Sequence, residues 1–291
     1  MKGWYLMNNF LFLGGDLRML YAAERLNKGY DCFAYGFQGV ETLAVNIPVL
    51  REPSRFDSVV LPLPTSSDGV NINAPYFDKK LDFSIIEQFL LPGGTVYTSR
   101  VFPYLAEICE KGGYVIKNYF EREELLVMNA VPTAEGALEI ALRELPITLF
   151  GANVLIAGYG RIGKVLAKHF SALGSHVSVC ARKCGDVAAA EASGAKGINL
   201  LVSGELEKSL PDFDVVINTV PAPIFDRARL AMLKKDCLVI DLASKTGIED
   251  MELAKNVGVN VVWALSLPRE EEAENTVFPC CYQQNPRACY N

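Results

Sequence analysis

One rhythm constrains this chain more than any other feature. Short apolar runs rich in β-branched and aromatic residues alternate with amphipathic stretches of helical spacing almost from end to end. That alternation predicts βαβ units, and so parallel sheets with helices on both faces. It forms two series. In the first, strands are expected at 10–15, 31–37, 58–64, 94–99 and 114–119, with helices such as 17–26 and 83–90 between them. In the second, strands are expected at 153–158, 176–181, 197–200, 214–220, 237–243 and 259–265. Between the series, PTAEGALEIALRELPITLFG reads as a connecting helix. Thr133 suits its N-cap, Glu135 its positive end, and Leu138, Ala141, Leu142 and Leu145 make an apolar stripe that Pro146 stops. A chain of 291 residues exceeds the usual single domain. The expectation is an α/β protein of two doubly wound, Rossmann-like domains with mainly parallel sheets. Residues 1–150 form a flavodoxin- or Rossmann-like domain ending in the linker helix, 151–268 form a second domain, and 269–291 an atypical tail.

Charge and composition exclude several partners. With 28 basic and 34 acidic residues the net charge is −6, whereas nucleic-acid binders carry a basic surplus. The opening MKGWYLMNNFLFLGGD has its apolar run split by Asn8 and Asn9 and no small-residue cleavage site, so it reads as a first strand rather than a signal peptide. No run approaches the roughly 20 apolar residues of a membrane span. The cysteines stand singly in apolar segments except for Cys280, Cys281 and Cys289, which lack zinc spacing. Reduced thiols, no metal and a cytoplasmic location are expected.

The second series opens on LIAGYGRIGKVLAKHF, in which Gly158, Gly160 and Gly163 take the spacing G-x-G-x-x-G. Alone the motif is weak, because glycines also mark ordinary turns. Here a strand precedes it, a helix follows it, and a second strand stands at the right distance. Gly158 is expected to allow the tight turn, Gly160 to let a pyrophosphate approach the backbone, and Gly163 to let helix and strand pack closely. The loop through Arg161 and Ile162 then presents backbone N–H groups to phosphate at the helix start.

The end of the next strand selects the dinucleotide. An acid there would accept the hydroxyl hydrogens of a 2′-OH ribose, but this chain has Cys180, Ala181, Arg182 and Lys183. A guanidinium beside an ammonium suits a 2′-phosphate, so NADP is expected over NAD. Two further strand ends, Thr219-Val220-Pro221 and Leu242-Ala243-Ser244-Lys245, are expected to line the ribose and nicotinamide. The bland alternatives are solvated basic residues, strand-stopping prolines and an Asp241 that only caps a turn.

In the first half, Gly15-Asp16-Leu17-Arg18 makes another glycine turn at a helix start, one that fits a carboxylate better than a dinucleotide. Polar residues at expected strand ends, namely Thr65, Ser66, Ser67, Ser99, Arg100, Lys117 and Asn118, suggest a small pocket for a polyanion. Two such halves suggest hydride transfer in a cleft between them. Histidine usually serves that chemistry as general acid or base, yet only His169 and His176 exist, and both fall away from the expected ligand edge. Histidine-dependent alcohol oxidation is disfavoured.

GGDLR, NAVPTAEGALEIAL, IAGYGRIGKVLAKHF, VINTVPAPIF and VIDLASKTG, in that order, resemble the A subunit of dipicolinate synthase from spore-forming bacteria over roughly residues 8–268. The resemblance implies NADP-linked oxidation of dihydrodipicolinate, a cyclic dicarboxylic acid, in the sporulating mother cell, with a B subunit as partner and a homo-oligomer as the assembly. It places the substrate near Gly15, Asp16, Arg18, Ser66, Thr133, Glu135 and Gly136. It places the cofactor near the glycine loop, Arg182, Lys183, Thr219–Pro221 and Leu242–Lys245. Aromatisation drives hydride loss from a dihydropyridine, so anchoring matters more than a strong base, and no general base is assigned. After residue 268 the chain leaves the family pattern, in a stretch with neither strand nor helix periodicity. Two alternatives stay open: another nicotinamide-dependent dehydrogenase of small amino or hydroxy acids, and a catalytically impaired NADP-binding scaffold.

Overall fold

In the computed structural model, which describes residues 9–40 and 45–264, every expected strand forms at its apolar run. The first series yields β1 (Asn9–Leu13), α1 (Leu17–Leu26), β2 (Asp31–Tyr35), β3 (Phe56–Val60), β4 (Asn71–Ile72), β5 (Leu81–Asp82), α2 (Ile86–Phe89), β6 (Leu90–Thr98), α3 (Pro103–Gly112) and β7 (Val115–Asn118). β2, β1, β3, β6 and β7 lie side by side in that order, all parallel, with Leu11 of β1 between Phe33 and Val59. Numbered within the sheet this is the order 2-1-3-4-5 of flavodoxin-like folds. β4 and β5 form a two-residue antiparallel pair outside the sheet, too short to leave any periodicity in the sequence.

The second series yields β8 (Asn153–Ala157), α5 (Arg161–Ala172), β9 (His176–Ala181), α6 (Cys184–Ala192), β10 (Lys196–Asn199), α7 (Glu205–Ser209), β11 (Val215–Asn218), α8 (Arg227–Met232), β12 (Leu238–Asp241), α9 (Met251–Asn256) and β13 (Asn260–Trp263). Its sheet runs β10-β9-β8-β11-β12-β13, again all parallel, which is the Rossmann order 3-2-1-4-5-6. Helices on both faces explain why the strands read as continuous apolar runs. Along β8, Val154 and Ile156 enter one core layer while Leu155 and Ala157 enter the layer on the opposite face. The first sheet repeats this, with Leu11 and Leu13 on one side and Phe10 and Phe12 on the other.

The connecting helix departs from expectation. α4 runs from Glu123 to Glu144 and carries Pro132 in its interior, so Thr133 is a mid-helix residue and not an N-cap. Pro132 has no N–H to give the Met128 carbonyl. One residue on, the Thr133 hydroxyl donates to the Asn129 carbonyl four residues back at 2.8 Å. The two compact units part at this same turn, between Met128 and Asn129, rather than near residue 150. The physical reason is burial. Ala134, Ala137, Ile140 and Ala141 pack into the second unit's core with Val154, Leu166 and Phe170, so most of the helix belongs to the domain it precedes. Among the described residues α4 is the one helix long and apolar enough to cross a membrane, and that packing accounts for its apolar face.

Replacing Ile140, 1% exposed, with Ala should cost about 2–5 kcal/mol of stability. Hydrogen exchange on the whole chain should then quicken in β8 and β9 and stay unchanged in β1 and β3. Faster exchange in β1 instead would assign the helix to the first unit.

Candidate functional site

Open parallel sheets bind ligands outside the carboxyl ends of their strands, where the strand order reverses. This chain has two such points, one between β1 and β3 and one between β8 and β11. Each expected site residue of the two sheets falls at a carboxyl strand end or on the helix start that follows it.

At the second point the glycine loop leaves β8. Gly158 has φ +98°, and a Cβ on it would meet the Thr219 hydroxyl oxygen at 2.5 Å. A Cβ on Gly163 would stand 2.1 Å from the Gly158 carbonyl oxygen, so α5 approaches the strand end only because both positions lack side chains. Gly160 differs. Its φ is −78°, and nothing lies within 4 Å of where a Cβ would stand. The protein's own packing therefore does not require glycine there. Gly160 is the N-cap of α5 and no side chain caps the helix, which leaves a bare helix start beside open space. That is the environment a pyrophosphate needs, and the residues present fit a dinucleotide.

The Gly158 N–H donates to the Cys180 carbonyl at 2.9 Å and ties the loop to the end of β9. Arg182 and Lys183 follow directly. Both are exposed, and among the described residues neither pairs with a carboxylate. After Lys183 the next acid along the chain is Asp186, in the opening turn of α6.

Beyond β11 and β12 the loops are fixed by a buried pair that is 0% exposed, Asn218 and Asp241. One Asp241 oxygen accepts the Asn218 side-chain amide at 2.8 Å and the Ala243 N–H at 3.1 Å. The other accepts the Thr246 hydroxyl at 2.9 Å and the Gly247 N–H at 2.7 Å. Asn218 also donates to the Val220 carbonyl and accepts the Val220 N–H, while Thr219 donates to the Ala157 carbonyl at 2.8 Å. Asp241 is thus more than the local turn cap weighed from sequence. Leu242 and Ala243 are partly or fully covered, and Ser244 and Lys245 are exposed.

At the first point, Asp16 caps α1 and receives Arg18. The Arg18 Nε lies 3.0 Å from both Asp16 oxygens and its Nη2 lies 2.6 Å from one of them. Nη2 also donates to the Leu63 carbonyl at 2.9 Å, which fixes the exit of β3. The guanidinium expected to meet a carboxylate is therefore already charge-balanced, and its Nη1 is the group left without a partner among the described residues. Gly15 is required by the fold, since a Cβ there would meet Met19 at 2.5 Å and Pro62 at 2.8 Å.

Ser66, 7% exposed, donates to Asp68 and accepts the Gly69 N–H, so it shapes its own loop. The Thr65 hydroxyl lies 2.7 Å from the Ser99 hydroxyl and 2.9 Å from the Thr98 hydroxyl, which locks the ends of β3 and β6 together. Tyr119 is a residue that no sequence pattern marked. Its phenol donates to the Leu61 carbonyl at 3.0 Å, and burial pushes it above the ordinary tyrosine value although Ser99 and the Arg18 charge oppose this. Arg100 stacks over Phe102 at 5.0 Å and Lys117 stands 6.0 Å from the Tyr97 ring, while Asn118 caps the turn beyond β7. Of the remaining expected substrate residues, Thr133 and Gly136 are buried in α4 and Glu135 is exposed on it.

Neither histidine stands at a carboxyl strand end. His176 begins β9, at the opposite edge of the sheet, and His169 lies in the last turn of α5 with a buried Nδ1 that has no partner among the described residues. Among the described residues no group of acids, histidines and cysteines has metal-binding proximity. Cys32, Cys180 and Cys237 are buried free thiols whose pKa burial pushes up to about 12. Cys280, Cys281, Cys289 and the rest of the atypical tail lie outside the described residues.

Residues 9–120 match the family described as the N-terminal domain of the A subunit of dipicolinate synthase. Residues 134–275 match the D-isomer specific 2-hydroxyacid dehydrogenase, NAD binding domain. Over 267 residues the chain is 28% identical to the dipicolinate synthase A subunit of Bacillus subtilis (strain 168), spanning 88% of this chain and 87% of that protein. The solved structure of the dipicolinate synthase A subunit from Bacillus halodurans matches with TM-score 0.79 at 26% identity, over 94% of this chain and 96% of that one. The solved structure of its counterpart from Bacillus subtilis matches with TM-score 0.78 at 24% identity, over 93% of each. The resemblance carried by the sequence motifs is thereby shown. The second unit is a dehydrogenase-family domain for a nicotinamide dinucleotide, and the chain is of oxidoreductase type.

Two alanine substitutions separate packing from ligand approach. Gly163→Ala should lower stability by about 1–3 kcal/mol through overpacking. Gly160→Ala should leave unfolding by urea within about 0.5 kcal/mol of the parent, as at other sites with open space, yet weaken dinucleotide binding. Equal binding by Gly160→Ala and the parent in calorimetry would remove the pyrophosphate from this loop.

Proposed function

We propose that this relative of the dipicolinate synthase A subunit oxidises dihydrodipicolinate to dipicolinate with NADP, in the cytoplasm of a spore-forming cell and beside a B subunit. The observation that carries the proposal is the pairing of a bare helix start at Gly160 with the exposed Arg182 and Lys183 at the end of β9. The pyrophosphate rests on the loop Gly158–Gly163, including the backbone of Arg161 and Ile162, and the 2′-phosphate meets Arg182 and Lys183. Thr219, Val220, Pro221, Leu242, Ala243, Ser244 and Lys245 line the other half of the cofactor. When bound, oxidised nicotinamide supplies the acceptor for a hydride.

The first unit supplies the substrate groups. Gly15, the Asp16–Arg18 pair with its remaining Nη1 donor, and the loop at Ser66 take a carboxylate by hydrogen bonding and not by net charge. Oxidation breaks one C–H bond with loss of hydride, and a proton leaves as the ring becomes aromatic. The gain from aromaticity is why a catalytic histidine is not needed, in keeping with the placement of His169 and His176.

A second reading, a dehydrogenase of small hydroxy or amino acids, is favoured by the match of the second unit to a 2-hydroxyacid dehydrogenase domain. Turnover of dihydrodipicolinate against simple 2-oxo, 2-hydroxy and 2-amino acids, with NADP and with NAD, distinguishes the two. Faster turnover of a simple hydroxy acid would overturn the proposal. Binding of NADP with no turnover, even beside a supplied B subunit, would favour a scaffold.

Arg182→Asp should weaken NADP binding by tens-fold, from loss of a charge-assisted contact of about 1.5–3 kcal/mol, and leave NAD binding nearly unchanged. An unaltered NADP affinity refutes the phosphate assignment. Arg18→Ala should raise KM for the dicarboxylate at constant cofactor affinity; loss of both together would indicate misfolding.

A further inference from the structure

We propose that Asp241 is a positioning residue for the nicotinamide half of the bound cofactor, acting through Asn218 and the loop 242–247. This rests on the reading that the strand ends of the second unit bind NADP.

The carboxylate of Asp241, 0% exposed at a strand end, serves the loop that follows and not the hydrogen-bond ladder of the sheet. An apolar residue there would avoid the desolvation that Asp241 incurs. Yet the site is built around it. Two donors meet each oxygen, all four are uncharged, and among the described residues no cation pairs with it. Three of the donors, Ala243 N–H, Thr246 hydroxyl and Gly247 N–H, belong to one loop, so a single carboxylate folds the chain around itself. The fourth, the Asn218 amide, carries the constraint to the neighbouring strand, where Asn218 holds Val220 by both its N–H and its carbonyl.

Gly247 shows how tight the arrangement is. A Cβ there would lie 2.3 Å from the Asn218 side-chain nitrogen, so the amide reaches Asp241 only over a bare backbone. From the outer side, Trp263 donates its indole N–H to the Ala243 carbonyl at 3.2 Å. The loops after β11 and β12 thus form one braced body.

Strand order says which half of the cofactor that body serves. In a 3-2-1-4-5-6 sheet each three-strand half takes one mononucleotide, and the pyrophosphate crosses at the reversal. The glycine loop and Arg182 belong to β8 and β9, the adenosine half. Asn218 and Asp241 end β11 and β12, the nicotinamide half. Asp241 should therefore affect the nicotinamide end and leave the adenosine end alone.

The test uses the full chain, with NADPH and adenosine 2′,5′-bisphosphate as probes in calorimetry and the melting temperature recorded beside them. Asp241→Asn puts an amide NH₂ against an N–H donor in either orientation of the side chain. It should raise the Kd of NADPH about ten-fold, the scale of one unsatisfied buried polar group, and shift that of the bisphosphate less than about two-fold. The emission of bound NADPH and of Trp263 should change in the same variant. Thr246→Val, which keeps Asp241 and removes one donor, should act in the same direction by about three-fold and serves if the first variant does not fold. Equal weakening of both probes, or no weakening of either, overturns the inference while leaving the cofactor reading intact. Failure of the parent chain to bind either probe overturns both.

Discussion

The ligand edge of the second unit depends on how closely α5 approaches the end of β8. That contact is set by backbone against backbone, with the Gly158 carbonyl standing where a side chain on Gly163 would have to go. The helix start can then lie beside the strand end, uncapped and with open space at Gly160. Everything downstream is arranged around this contact. The Gly158 N–H fixes the loop to β9, which sets the place of Arg182, and the Thr219 hydroxyl closes against Ala157. No charged group takes part in making the approach, so the loop holds its shape without the ligand's charge.

The buried polar groups of both sheets gather largely at the same end. Thr65, Ser66, Thr98 and Ser99 lie at the carboxyl ends of the first sheet, and Asn218 and Asp241 at those of the second. A strand end is where ladder bonding stops and the loop's own N–H and carbonyl groups need partners. Short hydroxyl, amide and carboxylate side chains supply them, and in doing so they fix the loops at those strand ends. The first unit uses hydroxyls and a balanced Asp16–Arg18 pair; the second uses a carboxylate with four neutral donors. The difference suits their proposed tasks. Hydroxyls and a neutral pair offer donors to an anionic substrate without a fixed excess of charge, whereas the cofactor loops need a shape that stays put.

The strands of the two parallel sheets and the glycine turn after β8 were legible because their signals are local. The continuous apolar run of β8, the G-x-G-x-x-G spacing, and the absence of an acid at 180–183 each lie within a few residues of sequence. The connecting helix starts ten residues before the expected N-cap, because Thr133 has the chemistry of a cap but stands mid-helix. Burial of Ala134, Ala137, Ile140 and Ala141, a tertiary fact, carries the helix through Pro132. The Arg18 bond to Leu63 was invisible because it spans 45 positions, although Asp16, which balances its charge, stands only two residues away. Tyr119 left no trace, since what gives it importance is a carbonyl 58 residues away.

By itself the sequence determined the class of fold, the two parallel sheets, the glycine spacing after β8 and the basic residues at the end of β9. These follow from periodicity, from glycine's missing side chain and from charge, which are properties of short segments. Only the tertiary structure decided the two strand orders, the boundary inside α4, the bond from Arg18 to the Leu63 carbonyl and the bond that ties Asn218 to Asp241. Those depend on which distant groups each side chain meets, and hydrogen bonds between segments far apart in the chain have no signature in the segments that make them.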